Sequence, residues 1–360
     1  MIAFRVNANP QIGAGHVMRC LSIADAYQNN GHHCLFVMSS NDLSDTVKAH
    51  GHEIIILNSD YSNMDAEPVS FLHDYDLSIL FVDSYNVTES YMKKLHALVS
   101  LRNIPLVYID DRCNFPYTCD FLLNYNIYAE KNKYKNLYRH NRPHFLLGTS
   151  YTPLRSEFKS SSPKIMPTSG QNILVSTGGS DTEHFTVELI KASLNSKMNF
   201  IFVIGAMNPD KDKIHRLAAG HENISLKENV TRMSELMNSS DVAISAAGST
   251  LYELCATQTP TVTYILADNQ IPAAERFSEK GIIKNYGDIR GDHKTEHAHQ
   301  IIKMAEELAE NLEERICIAK QMHALIDGNG TQRIITYLAS PVADLLDCPK
   351  NCPIVCPSFS

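Results

Sequence analysis

The hydrophobic residues of this chain form short unbroken runs separated by segments of helical periodicity. In the first part of the chain, the runs cover residues 2–6, 34–38, 53–57, 77–83, 106–110 and 121–124. The pattern resumes after residue 171, with runs over residues 173–176, 200–204, 242–245 and 261–266. Runs without polar alternation are typical of strands covered on both faces, as in parallel sheets. The pattern therefore predicts an α/β protein with two parallel sheets.

A stretch rich in Ser, Pro and Gly separates the two halves of the pattern. We interpret residues 159–171 as a linker between a first domain, residues 1–158, and a second domain, residues 172–330. Successive helices are predicted from about Thr295 to Leu338, with a break at residues 327–330. The final helix, residues 331–346, is expected to pack back on the first domain. Residues 347–360 form a tail.

Composition and charge exclude several function classes. A net charge of -8 over 360 residues argues against a protein that coats nucleic acid, because phosphate binding of that kind needs a basic surface. No apolar run approaches the length of a membrane span and no signal peptide is recognisable, so we expect a cytoplasmic protein without a membrane partner. The oligomeric state stays open, and a monomer is compatible with the pattern.

Nine cysteines, many of them within apolar runs, favour reduced core residues over a disulfide framework. Cys348, Cys352 and Cys356 stand four residues apart among prolines in the tail. A zinc site usually has closer cysteine pairs and a fourth ligand. A frayed terminus is therefore the preferred interpretation of the tail.

The segment GAGHVMRCL, residues 13–21, follows the first strand and opens the first predicted helix, from His16 to about Gln28. Unpaired N–H groups at a helix start disfavour a positive charge on a nearby imidazole, so His16 is expected to be neutral near pH 7. A neutral imidazole can take a proton from water. Alternatively, His16 only closes the turn.

Polar residues end several other predicted strands. They occur in VDSY (82–85), IDD (109–111), TGGSD (177–181) and DVAISAAGSTLYEL (241–254). Ligands of open parallel sheets bind outside the carboxyl ends of the strands, where these segments would lie. Gly248, Ser249 and Thr250 at a helix start offer N–H groups and hydroxyls to a diphosphate, and Glu253 stands about one turn further on. An ordinary capped helix is the competing interpretation.

Together with NVTRMSELM (229–237), these segments resemble the UDP-2,4-diacetamido-2,4,6-trideoxy-β-L-altropyranose hydrolases of pseudaminic acid synthesis. This family is related to the GT-B peptidoglycan transferase that uses UDP-N-acetylglucosamine. The resemblance runs from Met1 to about Ile335. It implies a GT-B-like fold of two Rossmann-like domains with a cleft between them. It also implies a UDP-sugar substrate and no cofactor.

The resemblance implies roles for individual residues. His16 matches the general base that activates water, and Tyr85 and Asn269 match supporting catalytic residues at the sugar. The loop from Asn229 to Met233 would meet the uracil. Glu253 would accept hydrogen bonds from the ribose. The remaining substrate-binding residues would be Gly13, Gly15, Arg19, Asp83, Gly178, Gly179, Gly248, Ser249, Thr250 and Gln270.

Competing roles remain open for several of these residues. Tyr85 could be a half-buried aromatic and Asn269 a helix N-cap. Asp83, Asp110 and Asp111 could orient His16 or amide groups of the sugar, or could simply end strands.

The implied reaction is hydrolysis at the anomeric carbon with inversion. His16 would take the proton of the attacking water while the second domain stabilises the UDP leaving group. No metal ion is needed. Asp74 and Asp76 form an Asp-x-Asp pattern, but it precedes a strand and so lies at the wrong end of the sheet. A GT-B glycosyltransferase and a non-catalytic nucleotide-sugar-binding protein are the alternatives.

Overall fold

The computed structural model describes residues 1–8, 14–140, 142–159 and 163–339. The first half contains strands and helices in near alternation: β1 (Ile2–Val6), α1 (Gly15–Asn29), β2 (Cys34–Met38), α2 (Ser44–Ala49), β3 (Glu53–Ile56), α3 (Phe71–Asp74), β4 (Ile79–Asp83), α4 (Glu89–Ser100), β5 (Leu106–Ile109), β6 (Phe121–Asn124), α5 (Lys131–Leu137) and β7 (His144–Leu147). The second half repeats the alternation and ends in three helices: β8 (Asn172–Ser176), α6 (Phe185–Ser193), β9 (Asn199–Ile204), α7 (Lys211–Ala218), β10 (Ile224–Glu228), α8 (Met233–Ser239), β11 (Val242–Ala246), α9 (Thr250–Ala256), β12 (Thr261–Ile265), α10 (Ile271–Glu279), β13 (Lys284–Asp288), α11 (Lys294–Glu310), α12 (Leu312–Leu325) and α13 (Gly330–Ala339).

The strands form two separate sheets, each with parallel pairing. The first has the order β3-β2-β1-β4-β5-β6-β7, and the second has the order β10-β9-β8-β11-β12-β13. In both sheets the order reverses at the first strand, which is the crevice where open α/β sheets bind ligands. Register places Val6 beside Asp83. The segments that follow β1 and β4 therefore leave the first sheet side by side.

Three edge strands are absent from the hydrophobic pattern but present in the structure: β7, β10 and β13. Most of their residues are only partly buried, and β10 and β13 include charged positions. An edge strand has a neighbour on one side only, so it needs no continuous apolar run. The pattern predicts the central strands, covered on both faces, and one edge strand, β3, which contains three consecutive isoleucines.

Helix α1 packs on the first sheet as predicted. Val17, Cys20, Leu21, Ala24 and Tyr27 are all buried. The helix ends just before Gly31, which has a φ of 83° and whose N–H donates to the Gln28 carbonyl at 2.9 Å. Because these buried residues pack α1 against the sheet, the amino end of the helix lies at the carboxyl ends of the strands.

Ser180 and Glu183 have the spacing of a capping box, but α6 does not begin with one. The helix begins at Phe185, and Asp181 accepts the N–H groups of Phe185 at 3.0 Å and Thr186 at 2.9 Å. The cap is thus a carboxylate four residues before the helix, reached through a turn in which Asp181 itself has a φ of 42°.

The last helix, α13, crosses from the second half of the chain to the first. Ile334, Ile335 and Leu338 join the buried core between α1 and the first sheet. At its start, Thr331 donates a hydrogen bond of 2.7 Å to the Leu154 carbonyl. The domain boundaries stay predictions, but this packing ties the end of the chain to its beginning.

Gly330 permits that crossing, because a methyl group there would clash with the Thr152 backbone. We expect Gly330→Ala to lower the free energy of unfolding by about 1–3 kcal/mol, the usual cost of overpacking. Urea unfolding followed by circular dichroism measures this. The control is Gln332→Ala, an exposed position two residues along the same helix. Equal midpoints for the two variants would show that the backbone contact at Gly330 is unimportant.

Candidate active site

His16 lies in the first turn of α1, beside the carboxyl end of β4. Its Nδ1 is 2.5 Å from Oδ1 of Asp83, and both side chains are almost fully buried. Burial alone would raise the pKa of Asp83, but Arg19 and His16 outweigh it and hold that pKa well below its usual range. Nη2 of Arg19 also lies 3.0 Å from Nδ1, but that nitrogen donates to Asp83 at the shorter distance of 2.5 Å. An ionised carboxylate only accepts hydrogen bonds, so the short contact with Asp83 assigns the proton to Nδ1. In the neutral ring, Nε2 then holds the lone pair.

Arg19, one turn further along α1, joins two carboxylates. Its Nε and Nη2 donate to Asp83 at 2.6 and 2.5 Å, and its Nη1 donates to both oxygens of Asp111 at 2.9 Å. Burial opposes the charge of Arg19, yet Asp111 and Asp83 raise its pKa well above the usual value. Arg19 is thus a fixed cation that orients the carboxylate under His16.

Tyr85 closes the other side of His16. Its ring meets the imidazole edge-on with centroids 4.5 Å apart, and its hydroxyl donates to Oδ2 of Asp111 at 2.9 Å. The Arg112 guanidinium lies over the Tyr85 ring, 4.8 Å from the ring centroid. Tyr85 is therefore a half-buried aromatic, as one interpretation had it, and also a polar neighbour of His16.

The three aspartates of the strand-end motifs have different roles. Asp83 holds His16, and Asp111 holds Arg19 and Tyr85. Asp110 instead accepts the Arg112 N–H at 2.8 Å and the Tyr134 hydroxyl at 2.7 Å. Asp110 therefore shapes the turn after β5 and does not contact His16.

In the second half, Gly248 and Ser249 connect β11 to α9, and Thr250 begins that helix. No side chain caps α9. Glu253, one turn on, lies 3.4 Å from the Arg155 guanidinium. Burial raises the pKa of Glu253 to about 7, against the lowering effect of Arg155. This carboxylate therefore titrates near neutral pH.

Two adjoining cavities bring most of the predicted residues together across the two halves. The larger cavity, about 460 Å³, is lined by Gly15, Arg19, Gly178, Gly179, Gly248, Ser249, Thr250, Glu253, Asn269 and Gln270. The smaller, about 150 Å³, is lined by Gly15, His16, Arg19, Tyr85, Gly248, Ser249, Asn269 and Gln270. Asn269 caps no helix, because Gln270 is the N-cap of α10 and Ala267 that of the preceding 3₁₀ turn. The smaller cavity connects the His16 side to the Gly248–Ser249 side.

A few predicted residues lie elsewhere. Asp83 supports His16 and Arg19 from behind and lines neither cavity. Asn229, with a φ of 50°, and Met233, buried at the start of α8, also line neither. Gly13 lies outside the described residues, as do the tail cysteines. Asp76 precedes β4 with a fully exposed side chain, at the end of the sheet away from His16.

Four residues of the site were not singled out from the sequence: Tyr125, Asn126, Arg155 and Tyr252. Arg155 belongs to the segment between the two sheets and reaches Glu253 and Glu157. Tyr125 and Asn126 follow β6, so the strand-end rule could have found them. Tyr252 stands within the quoted motif, but its apolar ring resembles a core residue in a helical pattern.

Gly205, after β9, supports the loop that contains Gly178 and Gly179. Any β-carbon at position 205 would clash with the carbonyl oxygens of both glycines. Gly178 itself has a φ of 93°, a conformation that favours glycine. The shape of this side of the larger cavity therefore depends on three glycines.

Other features of the described residues lie apart from this site. A cavity of about 940 Å³ lies at the amino ends of β5, β6 and β7 and contains none of the predicted site residues. Within the described ranges, no cluster of three or more His, Cys, Asp or Glu side chains suits a metal ion. Among the same residues, no helix has the length and apolar character needed to cross a bilayer.

Comparison with known proteins gives a family match for the second half. Residues 172–326 match the family described as Glycosyltransferase family 28 C-terminal domain. The matched region contains the second sheet and the segment around Gly248. The structure as a whole is similar to the crystal structure of MurG from Acinetobacter baumannii, with a TM-score of 0.60 at 14% identity, covering 93% of this chain and 98% of that one.

Two named relatives share about a quarter of their aligned residues with this chain. The chain is 25% identical over 286 residues to the UDP-2,4-diacetamido-2,4,6-trideoxy-beta-L-altropyranose hydrolase of Campylobacter jejuni, covering 79% of this chain and 98% of the relative. It is 24% identical to the Helicobacter pylori protein named pseudaminic acid cytidylyltransferase and UDP-2,4-diacetamido-2,4,6-trideoxy-beta-L-altropyranose hydrolase, covering 76% of this chain and 46% of that one. The predicted resemblance to these hydrolases is thus confirmed, on a chain that has the GT-B fold and whose residues 172–326 are similar to the glycosyltransferase family 28 C-terminal domain.

Proposed function

We propose that this protein hydrolyses a UDP-sugar at the anomeric carbon and releases UDP and the free sugar. The observation that carries the proposal is the small cavity between the two halves, lined by His16 on one side and Gly248 and Ser249 on the other. The named relatives support UDP-2,4-diacetamido-2,4,6-trideoxy-β-L-altropyranose as the substrate. By the same likeness, the free sugar would serve pseudaminic acid synthesis.

His16 is the general base of the proposed reaction. Water attacks the anomeric carbon from the face opposite UDP, a carbon–oxygen bond to water forms, and the bond to the β-phosphate oxygen breaks. The water proton goes to Nε2, while Asp83 holds the Nδ1–H and balances the charge of the imidazolium. Attack from the opposite face inverts the anomeric configuration.

The second half stabilises the leaving group. Negative charge develops on the β-phosphate as the bond breaks, and N–H groups and hydroxyls of Gly248, Ser249 and Thr250 line the larger cavity where the diphosphate would lie. The Arg155 side chain lines the same cavity. Glu253 would accept hydrogen bonds from the ribose hydroxyls.

Tyr85 and Asn269 contact the sugar in this scheme. Both line the small cavity with His16. Tyr85 donates its hydroxyl proton to Asp111, so its oxygen can take part in a further hydrogen bond only as an acceptor. Acetamido N–H groups are donors of the matching kind.

A glycosyltransferase on the same scaffold is the second candidate. A cavity of about 510 Å³ adjoins the small one and shares Tyr85 and Asn269 with it. It could admit an acceptor whose hydroxyl takes the place of water. The family 28 domain also fits this candidate.

Incubation with the UDP-sugar and no acceptor tests the proposed hydrolysis. We expect UDP release by the wild type and a loss of about 10²- to 10⁴-fold in His16→Gln, with UDP binding retained. His73→Gln, at an exposed position, is the matched control. UDP release only after an acceptor is added would favour the transferase. Equal background rates in wild type and His16→Gln would favour a non-catalytic binding protein.

The raised pKa of Glu253 predicts a pH-dependent affinity for UDP. Ribose hydroxyls donate to the ionised carboxylate, so binding lowers its pKa, and affinity rises with pH through the free value of about 7. We expect a gain of about five- to tenfold between pH 6 and 8, measured by calorimetry. Glu253→Gln should lose that gain. Because titration of the phosphate of UDP is common to both proteins, parallel pH curves would remove Glu253 from the ribose site.

A bulky side chain at position 15 is expected to reduce turnover without reducing stability. It lines both cavities, and a β-carbon there has open space around it. Gly15→Ala should therefore keep most activity, whereas Gly15→Leu fills the space beside His16 and should lower kcat/KM at least about tenfold with little change in Tm. Matching losses of activity and thermal stability in Gly15→Leu would point to a folding defect instead.

A further inference from the structure

A chain of hydrogen bonds joins helix α9 of the second half to His16 of the first. Tyr252 lies on α9, two residues after Thr250, and its side chain is buried. Its hydroxyl donates to Oδ1 of Asn126 at 3.1 Å and accepts the N–H of Ile127 at 3.2 Å. Both partners belong to the turn after β6. Tyr252 thus bonds across the cleft.

Asn126 links Tyr252 to Asp111 through its side-chain amide. Its Nδ2 donates to Oδ1 of Asp111 at 2.8 Å and to Oδ1 of Asn124 at 2.9 Å. Both of these oxygens are acceptors, so the amide nitrogen must face them and the amide oxygen must face Tyr252. The orientation of the Asn126 amide is therefore determined by its neighbours.

From Asp111 the chain reaches His16 through two more residues. Arg19 bonds Asp111 with one nitrogen and Asp83 with two others, and Asp83 accepts the Nδ1–H of His16. Tyr252 donates to the amide oxygen of Asn126. Asn126, Arg19 and His16 then donate to the carboxylates of Asp111 and Asp83, which only accept. Displacement of one member therefore changes the positions that its neighbours can adopt.

We propose that Tyr252 is a positioning residue that connects the diphosphate side of the site to the orientation of His16. The inference rests on the proposed function for its catalytic consequence. Tyr252 does not act on the substrate. It holds Asn126 and the turn after β6 at a fixed distance from α9. Through Asp111 and Arg19 it fixes the position of the Asp83 carboxylate, which accepts the hydrogen bond of His16. Binding of UDP at the start of α9 would thereby change the position of the His16 imidazole.

Tyr252→Phe removes the hydroxyl and keeps the ring, which packs against Tyr125 and Phe277. We expect kcat to fall about five- to tenfold, the effect of about one lost hydrogen bond, while the Kd for UDP changes by no more than about twofold. Asn126→Ala breaks the next link and should have the same pattern. Tyr264→Phe is the matched control, since the buried Tyr264 hydroxyl has no hydrogen-bond partner among the described residues.

A second measurement needs no turnover. With histidine labelled at the Cε1 carbon, the His16 NMR signal is the one absent from His16→Gln. UDP should shift this signal in the wild type and in Tyr264→Phe, and should shift it by less than half as much in Tyr252→Phe and Asn126→Ala.

These two measurements separate the inference from the proposed function. If the wild type hydrolyses the UDP-sugar, wild-type kcat in Tyr252→Phe overturns the positioning role. A full UDP-induced shift of the His16 signal in Tyr252→Phe overturns it whatever the rates are. If the wild type has no hydrolase activity, the proposed function is wrong and the NMR comparison alone decides on Tyr252. If Tyr252→Phe does not fold, the same two measurements on Asn126→Ala decide whether the positioning role holds.

Discussion

The guanidinium of Arg19, held between the buried carboxylates of Asp83 and Asp111, is the interaction on which the site depends. Two buried negative charges in contact with one positive charge are tolerated only when the remaining lone pairs also meet donors. Those donors are the His16 ring, the Tyr85 hydroxyl and the Asn126 amide. The need to satisfy the carboxylates therefore places the proposed base and its aromatic neighbour in fixed positions. Loss of Arg19 would leave uncompensated charges and affect every member of the group.

The central strands could be predicted from the sequence, whereas three of the four edge strands could not. Central strands such as β1 and β4 are buried along their whole length and mostly apolar, because helices cover both faces of the sheet. Edge strands β10 and β13 contain Lys and Asp or Glu because one side of each faces no further strand, and this removes the signal. These strands form because their backbone pairs with that of the neighbouring strand. Backbone hydrogen bonds do not depend on the hydrophobicity of the side chains, so the hydrophobic pattern does not reveal them.

The site divides in a similar way. Residues within short motifs at strand ends, such as His16, Tyr85 and Ser249, could be predicted because one rule places all strand ends at one edge. Residues that connect the two halves could not, since the bond between Tyr252 and Asn126 joins positions 126 residues apart. Their polarity is modest and their rings and amides suit a core equally well. The placement of two sheets against each other decides their role, and a single sequence contains no direct record of it.

In the proposed reaction, hydrolysis and glycosyl transfer differ only in the group that reaches Nε2 of His16. Both would need the same stabilisation of UDP, so the second half, with its match to the family 28 domain, does not distinguish them. The distinction must lie in the first half, where the small cavity beside His16 meets the cavity of about 510 Å³ that shares Tyr85 and Asn269 with it. A water molecule needs only the small cavity, whereas an acceptor must also occupy the space beyond these two side chains. The Tyr85 ring packs against both His16 and Arg112, so its position between the two cavities is fixed by these contacts. Access of a sugar acceptor to His16 would therefore depend on the space left beside Tyr85, whereas water would not require it.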